Sequence, residues 1–153
     1  MPRTIATNTV VGREDLLEFL RPRHQLVLLT RRRDGGPQAS PVTGGVDAAG
    51  RIVVSSYPER AKVTNLRRSP DCSVLVLSDD FGGPWVQVDG TAEVLDLPGA
   101  VEPLVEYYRA IAGEHPDWGA YRAAMIEQGK SLLRITPTHW GPIATGGFPA
   151  RLG

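Results

Sequence analysis

The sequence predicts a mainly β, α+β fold: about six antiparallel strands closed as a barrel, with three or four helices packed outside it. Three observations carry this expectation. Apolar runs of strand length recur along the chain, among them Gln25 to Thr30, Arg51 to Tyr57 and Cys72 to Leu77. Strong turn signals separate the first three runs, at Asp34-Gly35-Gly36-Pro37 and Ala48-Ala49-Gly50, and connections this short cannot carry a parallel crossover. Helical patterns interrupt the strands only after the third and again before the last.

Each element has a local reason. Arg13 to Leu20 places Leu16, Leu17 and Leu20 on one helical face, with Glu14 and Asp15 in the first turn, where carboxylates suit the helix dipole. Gln25–Thr30, Gln38–Asp47 and Arg51–Tyr57 then read as an antiparallel meander. Pro58 to Arg68 has helical spacing and stops at Ser69-Pro70. Cys72–Leu77 is a buried strand, and Asp79 to Pro84 a loop. Trp85 to Asp96 alternates apolar and polar residues but is interrupted at Gly90, which predicts one long strand with a bulge or bend. Gly99–Ala112 and Trp118–Gln128 are helical, and Ser131–Thr136 is the last strand. The tail from Trp140, rich in Gly and Pro, is expected to lie over the body.

Length and composition bound the function. At 153 residues and 16.6 kDa, one domain spanning 1–153 is expected. Charged residues make up 22% and the formal net charge is zero, which argues against general nucleic-acid binding. No apolar run approaches the roughly 20 residues that span a bilayer, the N-terminus lacks a signal-peptide pattern, and the single cysteine, Cys72, has no partner. A cytoplasmic protein is the expectation. The neutral total hides an asymmetry: residues 1–70 hold 12 Lys/Arg against 6 Asp/Glu, and residues 71–153 hold 5 against 11. Such polarity suits an anion site on the first half, and equally a solvated surface or a complementary dimer.

Several catalytic and cofactor patterns fail. The glycine pairs lack the spacing of a dinucleotide loop. Ala124 to Ser131 (AMIEQGKS) is close to a phosphate loop, but a helix precedes it and a strand comes after, the reverse of what phosphate binding requires. His24, His115 and His139 lack metal-ligand spacing, and no metal is expected. Cys72 opens an apolar strand and reads as an inert buried thiol. Ser40 lies in no nucleophile elbow.

The cluster with chemistry in it runs from Ser55 to Asn65. Two hydroxyls close a strand, Arg60 and Lys62 open a helix, and Asn65 comes one turn on. Free amides and the dipole at a helix start, joined by a guanidinium and an ammonium, make a phosphate site. The same residues also fit a plainer reading, in which Ser55 and Ser56 cap the helix and the cations are solvated.

VSSYPERAKVTNLRRSP, residues 54–70, resembles the strand–helix signature of flavin-binding split-barrel proteins related to pyridoxamine 5'-phosphate oxidase. The nearest fit is the branch that uses the deazaflavin coenzyme F420. DGGPQASPV at 34–42, DGTAEV at 89–94 and YYRAIAGEHPDWGAYRAAM at 107–125 agree in order and spacing. The resemblance implies a homodimer of six-stranded split barrels with cofactor sites at the interface. It implies that Ser55, Arg60, Lys62 and Asn65 bind the cofactor phosphate, with Ala61 also a cofactor-binding residue, and that Gln38, Ser40, Pro41 and Val42 line the tricyclic ring. It also implies that Gly83, Pro84 and Trp85 come from the partner subunit. The activity implied is hydride transfer from reduced coenzyme F420 to a small organic substrate. The alternatives are an FMN enzyme of the same fold and a non-catalytic cofactor- or tetrapyrrole-binding protein. No side chain is singled out as catalytic, because the cofactor carries the chemistry. Arg31, Arg32, Arg33 and Arg67 are candidates for meeting the acidic tail of the deazaflavin.

Overall fold

The computed structural model describes residues 6–152. The elements are β1 (Thr7–Thr9), α1 (Arg13–Leu20), β2 (Gln25–Arg31), β3 (Pro37–Val46), β4 (Ile52–Ser56), α2 (Ala61–Arg68), β5 (Asp71–Val76), β6 (Val86–Leu95), α3 (Val101–Ala112), α4 (Trp118–Gln128), β7 (Ser131–Trp140) and β8 (Ile143–Thr145), with a short 3-10 turn at Ala150–Leu152. Six strands close an antiparallel barrel in the order β2-β3-β4-β7-β6-β5, with β5 returning to β2. The expected barrel with flanking helices is therefore present. β1 and β8 form a separate two-stranded sheet that the sequence pattern does not predict.

Alternation along the strands sends one set of side chains into the barrel and the other outward. Leu26, Leu28, Ile52, Val54, Val74, Val76, Val86, Val88, Leu133 and Ile135 fill the interior, closed at its ends by Leu16, Leu17 and Leu20 of α1 and by Val63 and Leu66 of α2. A second core lies outside the wall, where Val53 and Leu132 pack under Leu104, Val105 and Tyr107 of α3 and Tyr121 of α4.

Two local features differ from the simple expectation. The helix expected from Pro58 begins at Ala61, because Arg60 N–H turns back to the Tyr57 carbonyl and Pro58–Arg60 form a turn. The last strand runs past Thr136 to Trp140, and the β6–β7 ladder shifts register between Asp89 and Gly90; the irregularity falls where Gly90 predicts it, but the extra residue, Thr138, is in β7. Gly90 is required there: a Cβ would sit 2.5 Å from the Thr136 carbonyl oxygen. Pro137 is tolerated beside Gly90 because the ladder is already broken at that point.

The barrel is closed along one seam by a short ladder only. β3 and β4 pair only over Gly44–Val46 and Ile52–Val54, although β3 runs back to Pro37. Beyond Gly44 the buried Tyr107 enters from α3, and its hydroxyl donates to the Thr43 carbonyl at 3.0 Å while lying beside Ser55. The phenol takes the place of the next strand-to-strand hydrogen bond, and β3 and β4 diverge from there.

Candidate functional site

The seam collects Gln38, Ser40 and Val42, and hydrogen bonds tie Asn65 to it. Gln38, Ser40 and Val42 lie opposite Thr30, Leu28 and Leu26 of β2, so their side chains share the inward face of β3 and are half-buried along the seam. Pro41 pairs with Val27 and faces the other way, onto the exterior of the sheet. Pro41 and the other three thus do not line one surface.

A chain of hydrogen bonds ties the seam to α2. Asn65, 7% exposed, donates from Nδ2 to Thr30 Oγ1 at 3.1 Å. The Thr30 hydroxyl donates to Gln38 Oε1 at 3.3 Å, and Gln38 Nε2 donates to Ser40 Oγ at 2.8 Å. Arg68 donates to Asn65 Oδ1 at 3.2 Å and to the Arg31 carbonyl at 2.8 Å. Asn65, Gln38 and Ser40 are therefore parts of one network, with Thr30 as the link. Thr30 ends an apolar strand run, so its polar role carried no separate sequence signal.

The start of α2 is the electrostatic feature of the site. Its N-cap is Arg60, and no side chain caps it. Ser55 and Ser56 lie too far upstream in β4 to serve as caps, which removes the plainer reading of those hydroxyls. Ser56 is buried and its hydroxyl donates to the Tyr57 carbonyl at 3.2 Å, while Ser55 is half-buried on the opposite face. Val63 and Thr64 N–H both bond to the Arg60 carbonyl, so the Ala61 and Lys62 amides have no intrahelical partner. Burial, then repulsion from Arg60 and Lys130, holds the Lys62 ammonium below its ordinary pKa. Lys130 is lowered in the same way, by burial and then by Arg60. Among the described residues no ion pair engages Arg60, Lys62 or Lys130. The half-buried Lys62 and Lys130 and the exposed Arg60, without carboxylate partners and close in the chain to free amides, match an anionic group, so these residues fit a cofactor phosphate.

Other candidates lie elsewhere. Trp85 exchanges backbone hydrogen bonds with Ala144, donates from Nε1 to the Gly146 carbonyl at 3.1 Å and stacks on Phe148 at 5.1 Å, so the tail does cover the body here. The Ser78 hydroxyl donates to the Pro84 carbonyl, and Gly83 N–H bonds to the Asp80 carbonyl. This loop enters β6 at Val86, beside Val76, and Val76 pairs with Leu26. It is at the barrel end opposite Thr30 and α2, roughly 13 Å away along β2, and one chain does not bring the two groups together. Of the four arginines considered for an acidic tail, Arg32 pairs with Asp34 at 3.2 Å and Arg67 with Asp96 at 2.7 Å. Both therefore already face carboxylates.

A model of the family described as pyridoxamine 5'-phosphate oxidase matches residues 13–144. The chain belongs to the pyridoxamine 5'-phosphate oxidase family. Membership brings a flavin-type oxidoreductase or binding role, and the split barrel is the fold expected of it. Known structures share the fold at low identity. A conserved hypothetical protein of Mycobacterium tuberculosis is 22% identical with a TM-score of 0.74, over 93% of this chain and 91% of that one. An F420 reductase is 21% identical, TM-score 0.61, over 86% and 98%. A FAD-binding protein of Mesorhizobium loti is 19% identical, TM-score 0.65, over 94% and 98%.

Cys72 is buried and its thiol is pushed up to about 12 by burial and by Asp71 and Asp89, consistent with an inert side chain. The histidines stand apart: His24 meets the Gly44 carbonyl, His115 accepts from Asp117 N–H, and His139 lies 3.4 Å from Asp89. Among the described residues no group of His, Cys, Asp and Glu could hold a metal, and no helix is long and apolar enough to cross a membrane.

Proposed function

We propose that this protein is an oxidoreductase that holds coenzyme F420 in the seam between β3 and β4 and serves hydride transfer to a small organic substrate. One observation carries the reading above the family level: α2, whose start holds unpaired cations and free amides, is tied through Asn65 and Thr30 to the half-buried Gln38–Ser40 pair of the seam. When bound, a reduced deazaflavin supplies the hydride. The residues of the chain bind and orient. Ser55, Arg60, Ala61, Lys62 and the neighbouring Asn65 take the phosphate end. Gln38, Ser40 and Val42 offer polar and apolar contacts along the ring, and the Asn65–Thr30–Gln38 chain holds those side chains in place before the cofactor arrives.

The deazaflavin is preferred over FMN because its acidic extension suits the basic first half of the chain, where Arg31 and Arg33 face no carboxylate among the described ion pairs. A homodimer belongs to the same proposal. Val27, Leu29, Ala39, Pro41 and Leu75 share the exterior of β2, β3 and β5, an apolar strip that a second copy would cover while bringing its own Gly83–Trp85 loop to the site. The protein is read as one cytoplasmic domain.

The test is a titration of purified protein with coenzyme F420 and with FMN at low and high salt. The reading expects tighter binding of the deazaflavin and a steeper loss of its affinity with salt, because exposed charge pairs are screened within about 8–10 Å. Tighter FMN binding throughout, with equal salt slopes, would replace the deazaflavin by FMN.

A further inference from the structure

Lys130 sits between α4 and β7, in the stretch whose resemblance to a phosphate loop fails on topology. Gly129, at φ +65, ends α4 in the left-handed conformation, and Lys130 N–H closes the helix on the Met125 carbonyl at 3.1 Å. The pairing of β4 with β7 then places the side chain. The two strands run antiparallel with Ser55 opposite Leu132 and Ser56 opposite Ser131. One step further in the same register sets Tyr57 opposite Lys130. Side chains alternate, so Ser55, Tyr57 and Lys130 share one face of the wall. The contacts agree: Lys130 Nζ lies 3.9 Å from the centroid of the Tyr57 ring, and the Arg60 guanidinium carbon lies 5.8 Å from the same ring.

We propose that Lys130 is a third cationic ligand of the anionic end of the cofactor, held over Tyr57 and completing a cradle with Arg60 and Lys62. The inference rests on the reading of the α2 start as the phosphate site. Three points support it. Like charges are gathered rather than dispersed, and among the described residues no carboxylate forms an ion pair with Arg60, Lys62 or Lys130. Lys130 is half-buried, and the aromatic face under it restrains the long side chain, which lowers the entropy lost on binding. The Tyr57 ring that carries both Lys130 and Arg60 also directly precedes the turn into α2, whose first amides, those of Ala61 and Lys62, have no intrahelical partner. Such a cradle suits a group carrying more than one negative charge: the phosphomonoester of FMN, or the phosphodiester of coenzyme F420 with the carboxylates beyond it.

The experiment measures the affinity of the full-length protein for FMN, for coenzyme F420 and for riboflavin, which has the ring without the phosphate. The variants are Lys130→Ala, Lys130→Arg and Lys62→Ala. Lys130→Ala is expected to weaken FMN and coenzyme F420 by roughly 10- to 100-fold, the scale of one charge-assisted hydrogen bond, and to leave riboflavin unchanged. Lys130→Arg should keep most of the affinity. If Lys62→Ala weakens the phosphate-bearing ligands and Lys130→Ala does not, the proposal for Lys130 is overturned while the phosphate site stands. If Lys130→Ala weakens riboflavin as much as FMN, its role is structural and the proposal is overturned. If neither lysine variant changes any affinity, the α2 site falls, and Lys130 with it.

Discussion

Replacing Asn65 by Ala tests whether the seam and α2 are mechanically one unit. Asn65 is 7% exposed and Thr30 2% exposed, and their hydrogen bond is 3.1 Å long. The substitution removes that bond and leaves the Thr30 oxygen short of a donor in a place water does not reach. It also strands one Arg68 contact, of 3.2 Å, but the Arg68 guanidinium can be rehydrated. One lost neutral bond together with one unsatisfied buried acceptor costs about 1.5–3 kcal/mol. For a chain of this size each kcal/mol lowers the melting temperature by roughly 2–4 °C, so a fall of about 3–12 °C is expected by circular dichroism. Thr30→Val removes the same bond from the other side. In a double-mutant cycle the two changes should be non-additive by about 0.5–3 kcal/mol. Because Gln38 then loses its anchor, cofactor affinity should fall as well. A melting temperature within about 1 °C of the parent, or strict additivity of the pair, would refute the idea that this network organises the seam.

Three further outcomes are expected. The Cys72 thiol, buried and raised to about 12, should resist alkylation in the native protein at about pH 8 and react once urea unfolds the chain; rapid native labelling would contradict its placement. Asp89 is held below the ordinary carboxylate range, first by the Ser73 hydroxyl at 2.6 Å. A depressed native pKa gives stability that is present above the unfolded value of about 3.9 and is lost as pH falls through the native one. Urea midpoints measured downward from about pH 5 should therefore drop less steeply in Asp89→Asn than in the parent. Light scattering at micromolar protein should give about twice 16.6 kDa, and a sole species of 16.6 kDa would remove the dimer from the proposal.

Local chemistry made much of the fold legible. Arg13–Leu20 and Trp118–Gln128 are predicted by helical spacing and coincide with α1 and α4, and the break at Gly90 falls at the register shift of the β6–β7 ladder. The meander of β2, β3 and β4 is dictated by its short turns. The features that escaped depend on long-range pairing. That β7 inserts between β4 and β6 is set by packing across the barrel, and so is the meeting of Lys130 with Tyr57. β1, with the sequence Thr7-Asn8-Thr9, has no apolar alternation to announce it, and exists because β8 offers an edge. The site was legible in part for the same reason. Arg60, Lys62 and Asn65 are neighbours along a short stretch of chain, whereas Thr30 meets Asn65, and Tyr107 meets Thr43 at the seam, only through the fold. Pro41, one residue from Ser40, points the other way because strand side chains alternate.

The proposed place of the flavin-type cofactor is the seam between β3 and β4, with its phosphate at the start of α2. A cavity of about 560 Å³ on the other side of the sheet, lined by Leu29, Arg31, Ser73, Gln87 and Asp89, is the competing location. Amide shift mapping by NMR on labelled protein, titrated with coenzyme F420 and then with FMN, separates the two. Binding in the seam predicts the largest perturbations at residues 38–42 and 55–65, with Lys130 among them. Perturbations centred on residues 71–73 and 87–90, with the amides of Ala61 and Lys62 unmoved, would contradict it.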